Sequence, residues 1–280
     1  MSPCDANAAP PAAAPPLRVL HSPQLSLEQL REALAAHDAA IASGQGRLKD
    51  DVRTAATRVP CGGAWAAVKE YRRAGPVDWV KELLRGSRVR RAWRGAEHLA
   101  RKGVSAPELL AVLRRGPTAY LITRFVDGAG RLDELLAGRF SGILAAAELR
   151  AKRSLLHQLA AWLRSIHDLG IYHDDWSAKN FLAAESGGGW VFYLLDFESL
   201  SARKRLTHRR RVKNLAQLMD LPPGVTLTDK MRILVAYARG EVALTRGRFP
   251  RDIERQARRR IAEREARWAR ALARRAREKR

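Results

Sequence analysis

Asp175, Asn180 and Asp196 are the residues whose types and spacing could do chemistry. The first two lie in residues 173–180, His-Asp-Asp-Trp-Ser-Ala-Lys-Asn, and the third begins Asp-Phe-Glu at 196–198. A carboxylate placed beside a hydroxyl can accept its proton as the oxygen attacks. Carboxylate and side-chain amide oxygens are also the donors that hard divalent cations prefer. The segment thus offers a candidate base and candidate cation ligands, although an isolated His-Asp-Asp triplet is more commonly a polar turn that caps a helix.

Short predicted elements set these residues in a definite order. A core helix precedes them, with Gly170 just past its end as a C-cap. Two short strands, Phe181-Leu182 and Trp190 to Leu195, flank the turn Ser186-Gly-Gly-Gly189 and lead to Asp196. The helix carries its apolar residues on one stripe: Leu155, Leu156, Leu159, Trp162, Leu163 and Ile166.

This order resembles the catalytic loop of protein kinases, H-R-D-L-x-x-x-N, followed by the D-F-G metal site. The spacing agrees at His173, Asp175 and Asn180. The resemblance implies that Asp175 is the catalytic base for phosphoryl transfer. It also implies that Asn180 and Asp196 hold ATP through Mg²⁺ or Mn²⁺.

A second motif in the first half of the chain fits the same resemblance. The strand from Trp65 to Tyr71, Trp-Ala-Ala-Val-Lys-Glu-Tyr, is similar to the V-A-I-K strand whose lysine contacts the nucleotide phosphates. Alternation puts Ala67 and Lys69 on one face of that strand, although a solvated lysine on a half-buried strand would show the same pattern. Glu97 is the candidate acidic partner of Lys69, although an exposed glutamate on a helix surface would show the same sequence pattern.

The remaining elements of the first half are coarser predictions. A capping box at Ser26–Gln29 opens a helix whose apolar stripe, Leu27, Leu30, Leu34 and Ile41, is interrupted at His37. Strands are predicted at Val52 to Val59, Ala64 to Tyr71 and Ala119 to Val126, and a helix at Ser87 to Lys102. The glycine-rich loop that kinases place over the phosphates is degenerate, because only Gly44 and Gly46 precede the first strand and Lys49 replaces the third glycine.

Together these elements predict an α+β, two-lobed protein-kinase-like fold. Its first lobe is a small antiparallel sheet with one key helix, and its second lobe is mostly helical. The predicted divisions are a flexible Ala/Pro-rich arm at 1–24, the first lobe at 25–126, the second lobe at 127–240 and a basic C-terminal helix at 241–280.

Composition narrows the functional classes. The 280 residues include 52 basic and 29 acidic side chains, a net charge of +23 that attracts anionic partners, although a GC-rich genome would give the same excess of arginine. Two cysteines, Cys4 and Cys61, cannot build a disulfide framework or a cysteine zinc site. The early Asp5 and the absence of a long apolar stretch predict no signal peptide and no membrane span, hence a cytoplasmic protein.

Two departures from the protein-kinase pattern bear on the class of molecule that accepts the phosphate. Asp174 stands where many regulated protein kinases have the arginine that reads activation-loop phosphorylation, and no A-P-E signature follows Asp196. A protein substrate is therefore not expected.

At this level the chain resembles the bacterial lipopolysaccharide kinase family, the heptose and Kdo kinases of the inner core, over residues 45 to 225. The resemblance implies a sugar-hydroxyl acceptor on a lipid-linked core, at the inner face of the inner membrane. The matching segments are Leu48-Lys49, Val68–Tyr71, Arg91–Trp93, Gly103–Pro107, Leu121–Thr123, Ile166–His173 and Asn214-Leu215.

The last forty residues carry 15 basic and 6 acidic side chains in a helical pattern, with Ile253, Ile261, Trp268 and Leu272 on a sparse apolar side. Such a helix could lie on anionic lipid, contact RNA, or pack on the second lobe. Packing on the second lobe and contact with anionic lipid are the two main interpretations, and nucleic acid is not expected as a partner. A small-molecule kinase, an atypical protein kinase and a catalytically silent scaffold of the same fold stay open as alternatives.

Overall fold

A computed structural model describes residues 15–72, 87–241, 244 and 247–278. These residues form two compact units. The described part of the first unit is 15–72 with Leu110–Thr123, and that of the second is 87–109 with the residues from Arg124 onward. The mixed architecture confirms the predicted fold class.

The strands of the two units are numbered in chain order. They are β1 (Leu17–His21), β2 (Arg47–Asp50), β3 (Thr54–Cys61), β4 (Ala64–Tyr71), β5 (Leu109–Arg115), β6 (Thr118–Arg124), β7 (Gly130–Arg131), β8 (Ile171–His173), β9 (Phe181–Ser186), β10 (Gly189–Leu194) and β11 (Leu200–Ala202). The described helices are α1 (Leu27–Ser43), α2 (Arg88–Arg101), α3 (Leu132–Arg139), α4 (Ala146–Asp168), α5 (His208–Leu218), α6 (Leu227–Ala238) and α7 (Arg248–Glu278).

The first unit is a six-stranded sheet covered by α1. The strand order is β1-β5-β6-β4-β3-β2, and the β3–β4 hairpin pairs antiparallel over its full length. The capping box predicted at Ser26 and Gln29 opens α1. Leu30, Val68 and Ile122 are fully buried between the helix and the sheet. Burial of such apolar area is the main stabilising contribution to this unit.

His37 belongs to the buried face of α1, so its interpretation as an interruption is wrong. Its Nδ1 lies 2.7 Å from the Thr57 hydroxyl and its Nε2 lies 3.6 Å from the Glu70 carboxylate. A histidine can replace an apolar residue at this position because the sheet supplies the Thr57 hydroxyl as hydrogen-bond partner of Nδ1 and places the Glu70 carboxylate near Nε2. Leu27, predicted on the same stripe, is exposed instead.

Two further expectations for the first unit are corrected. Residues 17–21, predicted within a flexible arm, form the edge strand β1, because their backbone pairs with β5; the arm's residues 1–14 lie outside the described part of the chain. Gly44, expected near the phosphate-covering loop, ends α1 with φ 82°. Gly46 has φ 71° at the irregular start of the β2–β3 pairing, where a Cβ would lie 2.7 Å from the Arg58 carbonyl oxygen.

The turn between β2 and β3 contains no glycine. The Asp51 carboxylate accepts hydrogen bonds from the amides of Arg53 and Thr54, at 2.9 and 2.8 Å, and from the Thr54 hydroxyl. Lys49 forms an ion pair with the same carboxylate at 2.8 Å. This side chain therefore closes the turn from within.

The second unit is built around α4, which confirms the predicted core helix. Leu159, Leu163 and Ile166 are fully buried, and the half-buried Trp162 contacts the rings of Phe181 and Phe192. The predicted hairpin is β9–β10, joined by β7 in a three-stranded sheet.

Gly170 follows α4 with φ 76°, as expected of a residue past a helix end. A Cβ there would lie 1.9 Å from the Arg203 carbonyl oxygen, so glycine is required for the chain entering β8 to pair with β11.

The helix α2 belongs to the second unit, whereas the sequence interpretation placed it in the first lobe at 25–126. It packs on the 3-10 turn Phe197–Ser199 and on β11. The predicted limits of this helix, Ser87 to Lys102, agree with an observed helix whose N-cap is Ser87.

The basic C-terminal helix α7 has two different halves. Phe249 and Ile253 are buried in the half that packs on α5, so Ile253 is not part of an exposed apolar side. Trp268 and Leu272 are 74% and 55% exposed in the other half.

Candidate active site

His173 joins the two loops that carry the predicted catalytic and metal-binding residues. Its Nδ1 accepts a hydrogen bond from the Asp175 amide at 3.1 Å. Its Nε2 lies 3.0 Å from the Asp196 carbonyl oxygen, which can only accept. The ring is therefore the neutral tautomer with its proton on Nε2. Because the ring is completely buried, it holds the backbone of Asp175 and Asp196 at fixed separation.

Asp175 is half-buried and its carboxylate is held on both oxygens. One oxygen accepts from the Ser177 hydroxyl at 2.9 Å, and the other lies 2.9 Å from the Lys179 ammonium group. Burial alone would raise the pKa of Asp175, but the Lys179 ammonium and the Ser177 hydroxyl outweigh it and keep the pKa below its ordinary value. The carboxylate is therefore ionised at neutral pH and can orient a hydroxyl and accept its proton.

Asn180 is hydrogen-bonded to the Asp175 backbone and Asp196 is connected to it through His173, and both side chains carry oxygen donors. The Asn180 Nδ2 donates to the Asp175 carbonyl oxygen at 2.8 Å, which leaves the amide oxygen available to a cation. The Leu195 amide donates to the Asn180 carbonyl oxygen at 2.8 Å and so ties the two loops together again.

Asp196 has the left-handed conformation φ 60°, ψ 59°, which non-glycine residues rarely adopt and which concentrates at functional positions. Its Oδ2 accepts from the Ser199 hydroxyl at 3.0 Å.

This donor set fits Mg²⁺ or Mn²⁺ that also binds phosphate. One carboxylate and one amide oxygen suit a hard cation but do not complete its coordination. No group of three or more His, Cys, Asp or Glu side chains capable of holding a metal occurs among the described residues. Nucleotide phosphate oxygens are the natural donors for the remaining positions.

Asn214 and Gln217 of α5 form hydrogen bonds to the backbone of the loop that carries Asp175. The Asn214 Nδ2 donates to the His173 carbonyl oxygen at 2.7 Å and to the Gln217 Oε1 at 3.1 Å. Gln217 accepts from the Trp176 amide at 3.0 Å and donates to the Asp174 carbonyl oxygen at 2.6 Å. Two buried amide side chains thus satisfy three backbone groups of a segment that has no regular structure.

His167 extends these contacts to α4 and α6. Its Nε2 faces the Asn214 Oδ1 at 3.3 Å, and its Nδ1 lies 2.7 Å from the Tyr237 hydroxyl. Complete burial, followed by the nearby Arg211 charge, lowers the pKa of His167 to about 3. The four side chains His167, His173, Asn214 and Gln217 are called the buried network below. Because the His167 ring stays neutral, the catalytic loop is supported by dipoles rather than by charges.

The helix α2 packs directly on the loop that carries Asp196. A Cβ on Gly95 would lie 2.2 Å from the Phe197 carbonyl oxygen, so only glycine allows this approach. Arg88 adds a 2.7 Å ion pair to Glu198. The Glu97 Oε1 accepts from the Trp93 indole within the same helix at 2.7 Å, and its pairing with Lys69 stays a prediction.

Lys69 lies on β4 in the first unit, paired in register with Ala56 of β3. Its ammonium group lies 5.1 Å from the centroid of the Tyr71 ring, on the same strand face. Ala66 and Val68 point into the core, and Ala67 is partly exposed. The alternation predicted for this strand is therefore observed.

The model of the lipopolysaccharide kinase (Kdo/WaaP) family matches residues 44–237, which is more than half of the chain. The chain belongs to this family. It is accordingly an ATP-using phosphotransferase whose acceptor is a sugar hydroxyl, and the family predicted from the sequence is confirmed.

A solved structure described as WaaP in complex with acyl carrier protein is similar to this lipopolysaccharide kinase. The two share 20% identity and a TM-score of 0.53 over 87% of this chain and 98% of the other. At this identity the similarity establishes a common fold. No curated protein matches the sequence, and no helix in the described ranges is long and apolar enough to cross a membrane.

Sequence reasoning missed several contributors to the site of this lipopolysaccharide kinase. His167 and Asn214 occur in segments that resemble the family, but Gln217, Arg211 and Tyr237 were not singled out. Their hydrogen bonds join residues 26 to 73 positions apart. The signal that could identify Gln217 is its position three residues after Asn214, a spacing that puts both side chains on one face of a helix.

Proposed function

We propose that this kinase transfers the γ-phosphate of ATP to a hydroxyl of heptose or Kdo in the lipopolysaccharide inner core, or of a related glycan. The observation that carries the proposal is the hydrogen-bonded arrangement of Asp175, Asn180 and Asp196 about His173. It brings a candidate base and two cation ligands together in a single loop cluster.

Asp175 is the proposed catalytic residue. Its ionised carboxylate accepts a hydrogen bond from the acceptor hydroxyl and takes the proton as the oxygen attacks. Lys179 keeps this carboxylate ionised, and Ser177 fixes its rotamer.

Asn180 and Asp196 are the proposed ligands of Mg²⁺ or Mn²⁺, which when bound neutralises negative charge on the triphosphate. Lys69 is proposed to contact the α- and β-phosphates of ATP, and Glu97 to be its acidic partner. Electrostatic stabilisation and positioning supply most of the catalysis in phosphoryl transfer, so each of these residues matters even without forming a bond to substrate.

The exposed half of α7 is proposed to contact an anionic lipid surface at the inner face of the inner membrane, near a lipid-linked acceptor. Ile261, Trp268 and Leu272 recur at helical spacing on it and are exposed. The arginines around them add electrostatic attraction of roughly 1 kcal/mol per basic group close to an acidic bilayer. Co-sedimentation with phosphatidylglycerol vesicles should fall in Trp268→Ser/Leu272→Ser, and unchanged binding would refute this contact.

The test of the catalytic assignment is phosphate transfer from ATP to a purified inner-core oligosaccharide with Mg²⁺, in wild type and Asp175→Ala. We expect the variant's kcat to fall by roughly 10²- to 10⁴-fold, the usual contribution of a positioned base. Equal, measurable rates in the two proteins would show that Asp175 is not the base, and no transfer by either protein would favour a scaffold.

Asp174→Ala is a matched control, because Asp174 is the neighbouring carboxylate and is mostly exposed. It should retain most of the activity. Acceptor-independent ATP hydrolysis measured in parallel separates a failed acceptor choice from a failed catalytic assignment.

A further inference from the structure

A cavity of about 570 Å³ opens beside the catalytic loop in the second unit. Five cationic side chains line it together with Tyr172, and no carboxylate does. The five are Arg203, Arg205, Arg209, Arg210 and Lys213, and the space they enclose is called the basic cavity.

Most of the charges in the basic cavity are not neutralised by the described part of the chain. Among the described residues, Arg203, Arg205, Arg209 and Arg210 have no ion-pair partner, and Lys213 reaches only the exposed Asp174, at 3.5 Å. Concentrating like charges costs free energy unless an opposite charge is supplied. The missing opposite charge must therefore come from a ligand or from solvent counter-ions.

Tyr172 arranges two of these cations. The Arg210 guanidinium and the Lys213 ammonium lie 5.1 and 5.4 Å from its ring centroid. The ring face attracts both cations and holds them close to each other. Contact with Tyr172 first of all, and then with Asp174, raises the pKa of Lys213, so this side chain remains charged.

A neighbouring cavity between α5 and α7 shows the contrast. Its volume is about 610 Å³ and it too has many arginines, but Asp252 and Glu263 also line it. Asp252 pairs with Arg255, and Glu263 pairs with Arg259 at 2.8 Å. Arg255 and Arg259 of that cavity are therefore paired within the chain, whereas Arg203 and Arg205 of the basic cavity have no ion pair among the described residues.

The basic cavity adjoins the proposed catalytic residue. Tyr172 precedes Asp175 by three residues, so their Cα atoms are separated by no more than about 11 Å. Arg203 is held against the same segment, because its amide donates to the Gly170 carbonyl oxygen at 2.9 Å. A glycan whose hydroxyl lies at Asp175 can therefore extend a second substituent into the cavity.

We propose that the basic cavity is the acceptor subsite that binds an anionic substituent, a carboxylate or phosphate group, of the glycan phosphorylated at Asp175. Guanidinium groups match the planar geometry of carboxylate and the oxygens of phosphate better than other side chains do. The subsite selects acidic glycans over neutral ones and determines which hydroxyl of the glycan lies at Asp175. This inference rests on the proposed function and specifies its substrate class.

The test compares Arg203→Gln/Arg205→Gln with Arg255→Gln/Arg259→Gln, which removes the same charge from two ion-paired arginines of the neighbouring cavity. The probe is a Kdo-containing inner-core oligosaccharide, used as acceptor with ATP and Mg²⁺. We expect the first variant to raise the acceptor KM about 10-fold or more, with kcat and the KM for ATP close to wild type, since charge-assisted hydrogen bonds are being lost. The control pair should change the acceptor KM less than about 2-fold.

Modified probes identify the anionic group. Reducing the carboxylates of the oligosaccharide to alcohols should raise the wild-type KM and abolish the difference between wild type and the Arg203→Gln/Arg205→Gln variant, if carboxylate is the group bound. If phosphate is the group bound, phosphatase treatment of the oligosaccharide should instead raise the wild-type KM and abolish that difference. Either result supports the subsite, whereas a difference that survives both treatments overturns it.

Direct binding keeps this inference separate from the catalytic assignment. Calorimetric titration of the oligosaccharide into each protein without ATP should show weaker binding to the Arg203→Gln/Arg205→Gln variant only, whether or not transfer is observed. An unchanged acceptor KM and unchanged binding would overturn the subsite. It would also be overturned if the variant lost binding only to phosphatidylglycerol vesicles or to acyl carrier protein, since the cavity would then be a docking surface.

Discussion

The catalytic loop has two sides built from opposite chemistry. On one side the buried network of His167, His173, Asn214 and Gln217 is neutral and pairs with backbone groups. On the other side the basic cavity is charged and lacks compensating carboxylates among its lining residues. The first side sets where Asp175 lies, and the second is left for something that the chain does not provide. Structural support and the proposed recognition are thus assigned to different residues around one loop.

Breaking the buried network should have the largest effect on folding. Asn214→Ala removes the hydrogen-bond partner of the His173 carbonyl oxygen and of the His167 Nε2 in a fully buried location. We expect the free energy of unfolding to fall by about 2–4 kcal/mol, with a lower kcat because the loop loses its support. Urea denaturation and transfer assays below the new midpoint measure both; a stable variant with wild-type kcat would refute the network's role.

The second-largest effect on stability is expected at the contact between α2 and the loop that carries Asp196. Gly95→Ala introduces a Cβ at 2.2 Å from the Phe197 carbonyl oxygen, so helix and loop must separate. Despite the better helix propensity of alanine, we expect a loss of about 1–3 kcal/mol in unfolding free energy and a weaker response of activity to Mg²⁺. Gly138→Ala in α3, where nothing lies within 4 Å of the added Cβ, is the control.

The pH dependence of stability sharpens the comparison further. The pKa of His167 falls from 6.5 to about 3 on folding, so between those values the unfolded chain binds a proton that the native chain does not. Unfolding free energy should therefore decrease as pH falls through this window, by up to about 1.4 kcal/mol per pH unit from this residue. His167→Gln should show a shallower decrease between pH 6.5 and 4.5, and parallel curves for the two proteins would contradict the assignment.

The smallest effect is expected on the charged side. Arg203→Gln/Arg205→Gln removes exposed cations without ion-pair partners in the described structure, so unfolding free energy should change by no more than about 0.5 kcal/mol. Thermal denaturation at low salt measures this. A large loss of stability would mean that these arginines support the fold, and the division between the two sides would fail.

The candidate catalytic loop stands out in the sequence because its residues are close in the chain. Asp175 and Asn180 are five positions apart, and Asp196 follows a hairpin whose glycine turn is evident. Glycine-ended amphipathic patterns likewise gave α4 and the β9–β10 hairpin.

The supporting residues could not be found this way, because Gln217 contacts Trp176 across 41 positions. The strands β1 and β5 have no clear local pattern for a similar reason. Each is stabilised by backbone pairing with the other, and the two segments are far apart in the sequence. His37 was misjudged because its burial depends on Thr57. The cationic residues of the basic cavity were visible only as part of a general excess of arginine.

The Asp51 turn between β2 and β3 has a consequence for nucleotide affinity. In kinase-like folds the turn between the first strands of the lysine-bearing lobe covers the phosphates, usually with glycine amides. Here the amides of Arg53 and Thr54 are already engaged by Asp51, whose carboxylate also pairs with Lys49. We therefore expect these amides not to bind phosphate, so that the proposed contacts of Lys69 and of the divalent cation contribute more to nucleotide affinity. An ATP-competitive inhibitor that lacks phosphate mimics should lose less potency here than in a kinase with a glycine loop.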